Sequence, residues 1–379
     1  MRVLLLGSDG YLGWSTALSL LNDVDELILV DNYSKRKYMK KLDRSPLVNL
    51  SKFSKRIKSI KSKAKKIVYE TDCSNYENIF KIIKKHKPET IIHFAELPSA
   101  PFSMLNKVFS WETIRNNLES TFNIVHAVKE ISPNTHIIKL GTMGEYGTPN
   151  IDIEEGWIDI RHNKRHDKFL YPRQGSSLYH TSKIMDTDLI WFYTRMYKLR
   201  CTDLMQGPVY GIYPQPNTND NHVPIFTYDD IFGTVLNRFI IQSIIKKPLT
   251  VYGSGKQTRG YINIKDSVEC IKIALRNKPN KGCLNIYNQF TEQFSVQQLA
   301  ELVRDAMSEF NIDVQIKKIR NPRIESENHY YNAKHSNLMK LGLKPTKLTK
   351  KIIIEIAQYC MKYKKNIQKD IINPKITWK

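Results

Sequence analysis

Short apolar runs alternate with stretches in which apolar residues recur every three or four positions, and this alternation organises the first half of the chain. Residues 3–6 (Val3, Leu4, Leu5, Leu6) read as a buried strand. Trp14, Ala17, Leu18 and Leu21 then fall at i, i+3, i+4 and i+7, one face of a helix. Residues 27–30 predict a second strand, and 66–69 a third that ends near Asp72. A helix around 75–86 follows, then a strand at 90–94, a long helix around 109–131 and a strand at 136–140. Residues 176–198 read as helix and 201–205 as a sixth strand. Strands alternating with helices predict an α/β fold, a doubly wound parallel sheet of the Rossmann type. Right-handed crossovers put its ligands at the strands' C-terminal ends.

Beyond residue 206 the pattern changes. Residues 214–221 form a polar, proline-punctuated loop without periodicity, suited to a lid. Short strands such as 249–252 mix with helices near 295–310 and 349–365. The division expected is a dinucleotide-binding domain over 1–206, carrying a basic insert at 35–66. Residues 207–379 form mainly a smaller C-terminal substrate-binding lobe, the chain crossing between the two.

The chain has 379 residues and a formal charge of +22. Residues 35–66 hold 14 Lys/Arg against one acid, Asp43, so +13 of the excess lies there. Within that segment Leu50, Phe53, Ile57, Ile60, Ala64 and Ile67 recur at three- and four-residue steps, predicting an amphipathic helix with lysines outward. Such a helix could grip nucleic acid, or simply present a solvated face. The absence of interleaved aromatics and glycines favours the second and makes a nucleic-acid partner unexpected. A positive field would still attract anionic small molecules. Five scattered cysteines without a CxxC pair suit free thiols in a reducing cytoplasm better than disulfides or a metal site. No run of about 18 apolar residues exists to span a membrane. The opening apolar stretch, consumed by glycines, predicts no secretory signal.

Those glycines carry the first chemistry. Gly7, Asp9, Gly10, Tyr11, Leu12 and Gly13 follow the first strand directly and open the helix, the geometry that sets a pyrophosphate on backbone N–H groups. Asp31, at the end of the second strand, stands where an acid holds the adenosine ribose hydroxyls. Lys35 and Arg36 raise the question of a 2′-phosphate, but Asp31 would repel one, so the cofactor expected is NAD.

Tyr179 and Lys183 lie four apart in a helical stretch and so share a face. A phenol near pKa 10 is a poor base at neutrality, and a lysine ammonium one turn away favours its phenolate. The pair can take a proton from a sugar hydroxyl while the nicotinamide takes the hydride. Thr142, just past the fifth strand, could share that hydrogen bond or serve only its own turn. Glu145 and His180 are candidate proton carriers, with a solvated loop acid and a helix-surface histidine as the plainer alternatives.

Together these residues resemble the extended short-chain dehydrogenase/reductase family of nucleotide-sugar enzymes. The resemblance narrows to its UDP-sulfoquinovose synthase group. It rests on GSDGYLGWSTAL (7–18), HFAELPSAPFSM (93–104), KLGTMGEYGTPNIDIEEG (139–156) and YGSGKQTRGYINIKD (252–266), with NQFTEQFSV (288–296), NPRIESENHYYNAKH (321–335) and the terminal Trp378 and Lys379. It implies that UDP-glucose and sulfite give UDP-sulfoquinovose and water, through 4-keto and 4-keto-5,6-ene sugars, on bound NAD. Asn32, Asp72, Cys73, Phe94 and Asn117 would join the cofactor site. Gln206, Arg259 and Arg323 would meet the UDP-sugar, the arginines clamping its diphosphate. A homodimer through helices of the first domain is implied as well.

Two departures from relatives matter. Related 4,6-dehydratases carry Asp-Glu after the threonine, where this chain has Met143 and Gly144 with the acid displaced to Glu145. Gly144 is expected to leave space and remove negative charge, admitting a sulfur oxyanion, while His180 or Glu145 moves the C5 and C6 protons. Leu97-Pro98 stand where plant-like members tend to carry Gln-Arg, so a substrate-contacting arginine is replaced or supplied elsewhere. A 4-epimerase or 4,6-dehydratase, or an RNA-binding protein on a retained dehydrogenase fold, are the rival readings.

Overall fold

A computed structural model describes residues 1–213, 222–323, 329–373 and 376–377. The loop expected as a lid lies outside the described residues, as do Trp378 and Lys379. In chain order the first half comprises β1 (Arg2–Leu6), α1 (Tyr11–Leu20), β2 (Glu26–Asp31), α2 (Ser34–Lys41), α3 (Phe53–Lys58), β3 (Lys65–Glu70), α4 (Tyr76–His86), β4 (Thr90–His93), α5 (Ala100–Ser103), α6 (Lys107–Ile131), β5 (His136–Thr142), β6 (Trp157–His162), β7 (Arg165–Leu170), α7 (Leu178–Tyr197) and β8 (Arg200–Gln206). There follow β9 (Val209–Tyr210), α8 (Val235–Ile244), β10 (Leu249–Tyr252), β11 (Thr258–Asn263), α9 (Ile264–Arg276), β12 (Cys283–Gln289), β13 (Glu292–Ser295), α10 (Val296–Met307), β14 (Ile316–Ile319), α11 (Asn337–Lys340) and α12 (Lys350–Lys362).

Seven parallel strands form the main sheet in the order β12-β8-β5-β4-β1-β2-β3. The six strands predicted are all present. The order reverses at β1 and β4, which is where a doubly wound sheet opens its ligand crevice. The apolar runs behave as strands covered on both faces. Leu4, Leu6, Ile28 and Val30 pack into one layer, while Val3, Leu5, Leu27 and Leu29 pack into the other. A seventh strand, β12, had not been foreseen. It returns from the far half to pair with β8, and α9 packs on α1, so the chain crosses between lobes after residue 206.

The smaller lobe has its own core, centred on Phe239, Ile240 and Ile241 of α8, Leu299 and Val303 of α10 and Ile353 of α12. Two small sheets, β13-β11-β9 and β10-β14, carry its loops toward the crevice.

The basic segment is not the single amphipathic helix its periodicity predicts. It is two short helices, α2 and α3, with irregular chain between them, and Ile67 lies in β3. α3 stops at Lys58, short of Ile60, Ala64 and Ile67, and Asp43 at φ 54° followed by Pro46 keeps it separate from α2. Two of the segment's cations turn inward. Arg36 and Arg56 both reach the buried Asp9, Nε of Arg36 at 2.5 Å and Nη1 of Arg56 at 3.3 Å. The Arg56 guanidinium also lies 3.7 Å over the Trp14 ring.

Candidate active site

One cavity of about 570 Å³ runs from the glycine loop across the sheet's C-terminal edge to the smaller lobe. At its first end Gly7 has φ 79°, and a Cβ on Gly13 would lie 2.0 Å from the Gly7 carbonyl oxygen. Only glycines permit so tight a turn into α1. No side chain caps that helix, and its first turn carries no acid, so its leading N–H groups are left for a bound anion.

Asp31 accepts hydrogen bonds from the backbone N–H groups of Asp9 (2.7 Å) and Tyr33 (2.6 Å). Burial, then the neighbouring Asp9 carboxylate, push its pKa up to about 6. Asn32 donates to Asp72 at 2.8 Å, and Ser74 donates to Asp72 through both its backbone N–H and its hydroxyl. Those hydrogen bonds outweigh burial and hold the Asp72 carboxyl below its usual value. Cys73 and Phe94 line the same stretch. Burial, followed by Asp72 and Asp31, raises the Cys73 thiol well above its ordinary range. An uncapped helix N-terminus for the pyrophosphate and a strand-end carboxylate for a ribose together fit NAD. Arg36 is committed to Asp9 and to the Leu50 carbonyl, so it does not offer itself to a 2′-phosphate.

Asn117 corrects the sequence reading. It is buried away from the cavity, accepting from Leu97 N–H (2.8 Å) and donating to Ser182 Oγ (3.0 Å), and so ties α6 to the wall and to α7. Its neighbour Asn116 lines the cavity instead.

Ser177 caps α7 by accepting from the His180 N–H, and this start puts Tyr179 and His180 in the first turn with Lys183 one turn on. Tyr179, His180, Lys183 and Thr142 all line the cavity. Thr142 caps the single 3₁₀ turn after β5, accepting from Gly144 N–H at 3.2 Å. The expected acidification of Tyr179 by Lys183 is not what this arrangement gives. Burial first, then Glu96 and Glu145, push the phenol above its ordinary pKa, with Lys139 and a Thr142 hydrogen bond opposing. The Lys183 ammonium itself is hydrogen-bonded to Glu96, a residue the sequence reading passed over.

Glu145 is a second correction. It is fully buried and absent from the cavity wall. Its carboxylate accepts from Thr142 N–H (3.3 Å), Lys139 (3.4 Å) and Thr187 (3.0 Å), with Arg173 at 3.8 Å. Burial raises its pKa against the pull of Lys139. It therefore braces the Thr142 turn and does not reach a sugar. The third correction concerns Gly144, whose missing side chain does not leave open space. A Cβ there would lie 2.3 Å from His180 Nε2, so the imidazole fills that place. Ser176 Oγ lies 3.0 Å from His180 Nδ1. Burial, then Arg323 and Arg259, lower the His180 pKa to about 3, so the ring is neutral.

The far end of the cavity carries Arg259 and Arg323, together with Arg238 of α8, which sequence reasoning missed. Arg238 lies 5.0 Å over the Tyr252 ring and Arg323 5.9 Å over it. Nε of Arg238 is buried without a hydrogen-bond partner among the described residues, an orphaned donor suited to a phosphate. Only its place as the one charged residue of α8 could have betrayed it. Gln206 lines the middle, its amide donating to Ser267 and Gln289. Leu97 and Pro98 also face the cavity, so the arginines reach it from other elements.

A glycine-loop dinucleotide crevice joined to a Tyr-x-x-x-Lys helix and an arginine-lined second lobe defines a nucleotide-sugar dehydrogenase-type enzyme. The chain belongs to the NAD dependent epimerase/dehydratase family, whose profile matches residues 3–288. It is 42% identical over 381 residues to the chloroplastic UDP-sulfoquinovose synthase of Spinacia oleracea, covering 100% of this chain and 79% of that protein. With the UDP-sulfoquinovose synthase of Sulfolobus acidocaldarius it shares 38% over 388 residues, covering 100% and 98%. Its fold matches the UDP-glucose 4-epimerase of Thermotoga maritima with UDP-glucose, at TM-score 0.71 and 18% identity over 96% and 99% of the two chains. It likewise matches the UDP-glucuronic acid 4-epimerase of Bacillus cereus in complex with UDP-glucuronic acid and NAD, at TM-score 0.70, 19% identity and 96% and 99% coverage.

Proposed function

We propose that this chain is a UDP-sulfoquinovose synthase, joining sulfite to C6 of UDP-glucose and releasing water. The observation that carries the assignment is similarity along the whole chain to two proteins of that name. The motif residues Thr142, Tyr179 and Lys183 stand together at one cavity, which supports it.

The glycine loop and Asp31 would hold NAD, with Asn32, Asp72, Cys73 and Phe94 around its adenosine. Bound NAD would supply the acceptor for the C4 hydride and give it back at the end. Arg238, Arg259 and Arg323 anchor the diphosphate, and Gln206 meets the region between phosphate and sugar. Tyr179, after losing its own proton to solvent, takes the C4 hydroxyl proton, with Thr142 hydrogen-bonded to the same oxygen, and Lys183 would help to hold the cofactor's ribose. With C4 a ketone, the C5 proton becomes acidic. Neutral His180 takes it and returns a proton to the departing C6 hydroxyl, which leaves as water. The sulfur lone pair of bisulfite then forms the C6–S bond, and the proton bisulfite brings ends on C5. Tyr179 finally returns its proton to the C4 oxygen. Burial of the site excludes bulk water from the unsaturated sugar.

A homodimer is supported by exposed apolar side chains on α6 and α7: Val108, Trp111, Phe122, Met185, Phe192 and Met196. Apolar exposure gathered on two neighbouring helices marks an interface, and an isologous pairing buries it on both copies. Five free thiols support a reducing compartment, with the cytoplasm as the assignment. No helix among the described residues is long and apolar enough to cross a membrane.

The test is incubation of the purified chain with UDP-glucose, with and without sulfite, followed by mass analysis of the nucleotide-sugars. A sulfonated UDP-hexose made only with sulfite is expected. UDP-galactose, or a UDP-4-keto-6-deoxy sugar formed regardless of sulfite, would make the chain an epimerase or dehydratase.

A further inference from the structure

Four carboxylates line the cavity among the described residues: Asp9, Asp31, Asp72 and Glu96. The first three surround the glycine-loop end. Glu96, on the segment after β4, is the one placed with Tyr179 and Lys183. Its side chain is 6% exposed, and only one of its two oxygens is hydrogen-bonded, Oε1 being buried without a hydrogen-bond partner among the described residues. Oε2 accepts from the Lys183 ammonium, and Oε1 lies 3.3 Å from His93 Nε2.

Every element around Glu96 contributes to its setting. From β4, His93 is neutral, its pKa pushed far down by burial and then by Lys183 and Lys139. From α6, Thr121 lies 3.2 Å from His93 Nε2. From α7 come Lys183 and the fully buried Asp186, whose carboxyl is raised well above its ordinary value by burial and then by Glu96. Tyr179 for its part is faced by Glu96, by Glu145 and Lys139 behind β5, by Thr142, and by the His180 ring at 5.3 Å.

A lysine can promote ionisation of a neighbouring phenol only while its positive charge is uncompensated. Here a buried carboxylate compensates it. We propose that Glu96 is a positioning residue: it takes up the charge of the Lys183 ammonium and so governs when Tyr179 gives up its proton. The inference rests on the role given to Tyr179 under the proposed function. Its consequence is that Tyr179 must lose its own proton before it can take that of the C4 hydroxyl, so the opening oxidation slows as pH falls, and the proton it then takes is held for the C4 oxygen in the closing reduction. After burial, Glu96 is the strongest of the influences that hold the Tyr179 proton on.

The experiment is a pH titration of the full chain, as purified with its NAD, carrying ¹³C-labelled tyrosine. Tyr179→Phe identifies the Tyr179 signal. In Glu96→Gln that signal is expected to begin ionising at least about one pH unit below the wild type, the effect of removing a like-signed neighbour and freeing the Lys183 charge. Glu96→Asp is expected to shift the same way by less. A second readout is the rate at which UDP-glucose without sulfite reduces the bound NAD. On the acid limb of its pH profile, Glu96→Gln should gain about tenfold. An unmoved or higher Tyr179 titration, or one uniform fall in rate at every pH, would overturn the proposal. If Glu96→Gln does not fold, an unshifted Glu96→Asp overturns it equally. Wild-type chain that never reduces NAD with UDP-glucose would sink the proposed function, while the tyrosine titration would still decide the role of Glu96.

Discussion

His180 Nε2 sits where the side chain of residue 144 would be: a Cβ on Gly144 would approach it to 2.3 Å. The glycine thus leaves the gap that the imidazole fills, and under the proposed function that imidazole carries the C5 and C6 protons. Gly144→Ala forces the imbalance onto the ring, because the atoms it meets are the far end of a side chain. Sulfonated product is expected to fall about 100-fold, the effect of misplacing a reacting group by an ångström. Reduction of bound NAD by UDP-glucose should stay within about threefold of wild type. An equal fall in both rates would show that His180 serves the first oxidation or only the fold.

Two buried histidines, His93 and His136, and the half-buried His180 make the fold sensitive to acid. His180 and His136 are lowered to about 3, and His93 far below its ordinary value, each chiefly by burial. Folded-state values below the unfolded one mean that the folded chain binds fewer protons. Their stabilisation is therefore complete above about pH 6.5 and lost as pH falls toward 3, at no more than roughly 1.4 kcal/mol per pH unit for each group. Urea unfolding between pH 7 and pH 5 should show a declining midpoint, and His136→Gln should remove about a third of the slope. A slope indifferent to that substitution would assign the acid sensitivity elsewhere.

Glu145 is expected to behave as a brace. Glu145→Gln removes one carboxylate from Lys139 and Arg173, which keep Asp203 and Asp188 as partners, a loss of about 1–3 kcal/mol for a buried charged hydrogen-bond partner. The thermal midpoint should fall. A variant with an unchanged midpoint and no turnover would restore Glu145 to the role of proton carrier.

Arg238 is expected to bind and not to react. Arg238→Met should raise KM for UDP-glucose about tenfold or more, equivalent to about 1.4 kcal/mol, with kcat little changed. Calorimetry with UDP alone should report the same loss. Unaltered UDP affinity would remove Arg238 from the diphosphate site.

Trp111, 62% exposed on α6, tests the dimer. Trp111→Lys should convert the species seen by light scattering from dimer to monomer while secondary structure is kept. A wild-type monomer would remove the proposed interface altogether.

The sequence by itself determined the elements whose signals are local. Runs such as Leu4-Leu5-Leu6 and Ile91-Ile92, bounded by turn signals, read as strands covered on both faces, and Gly7 and Gly13 specify a turn that a Cβ would block. Tyr179 and Lys183 share a face through helical spacing alone, and Thr142 follows from its place after β5. Tertiary structure decided whatever depends on residues distant along the chain. It ended the basic helix at Lys58, and it turned Arg36 and Arg56 inward to Asp9, 27 and 47 residues away. It returned β12 to the sheet and brought Arg238 to the cavity. Above all it set the charges. Glu96 meets Lys183 across 87 residues, and Glu145 turns away from the cavity into Lys139 and Thr187. A spacing rule assigns a lysine to a tyrosine, but burial and the nearest carboxylate settle which group that lysine serves.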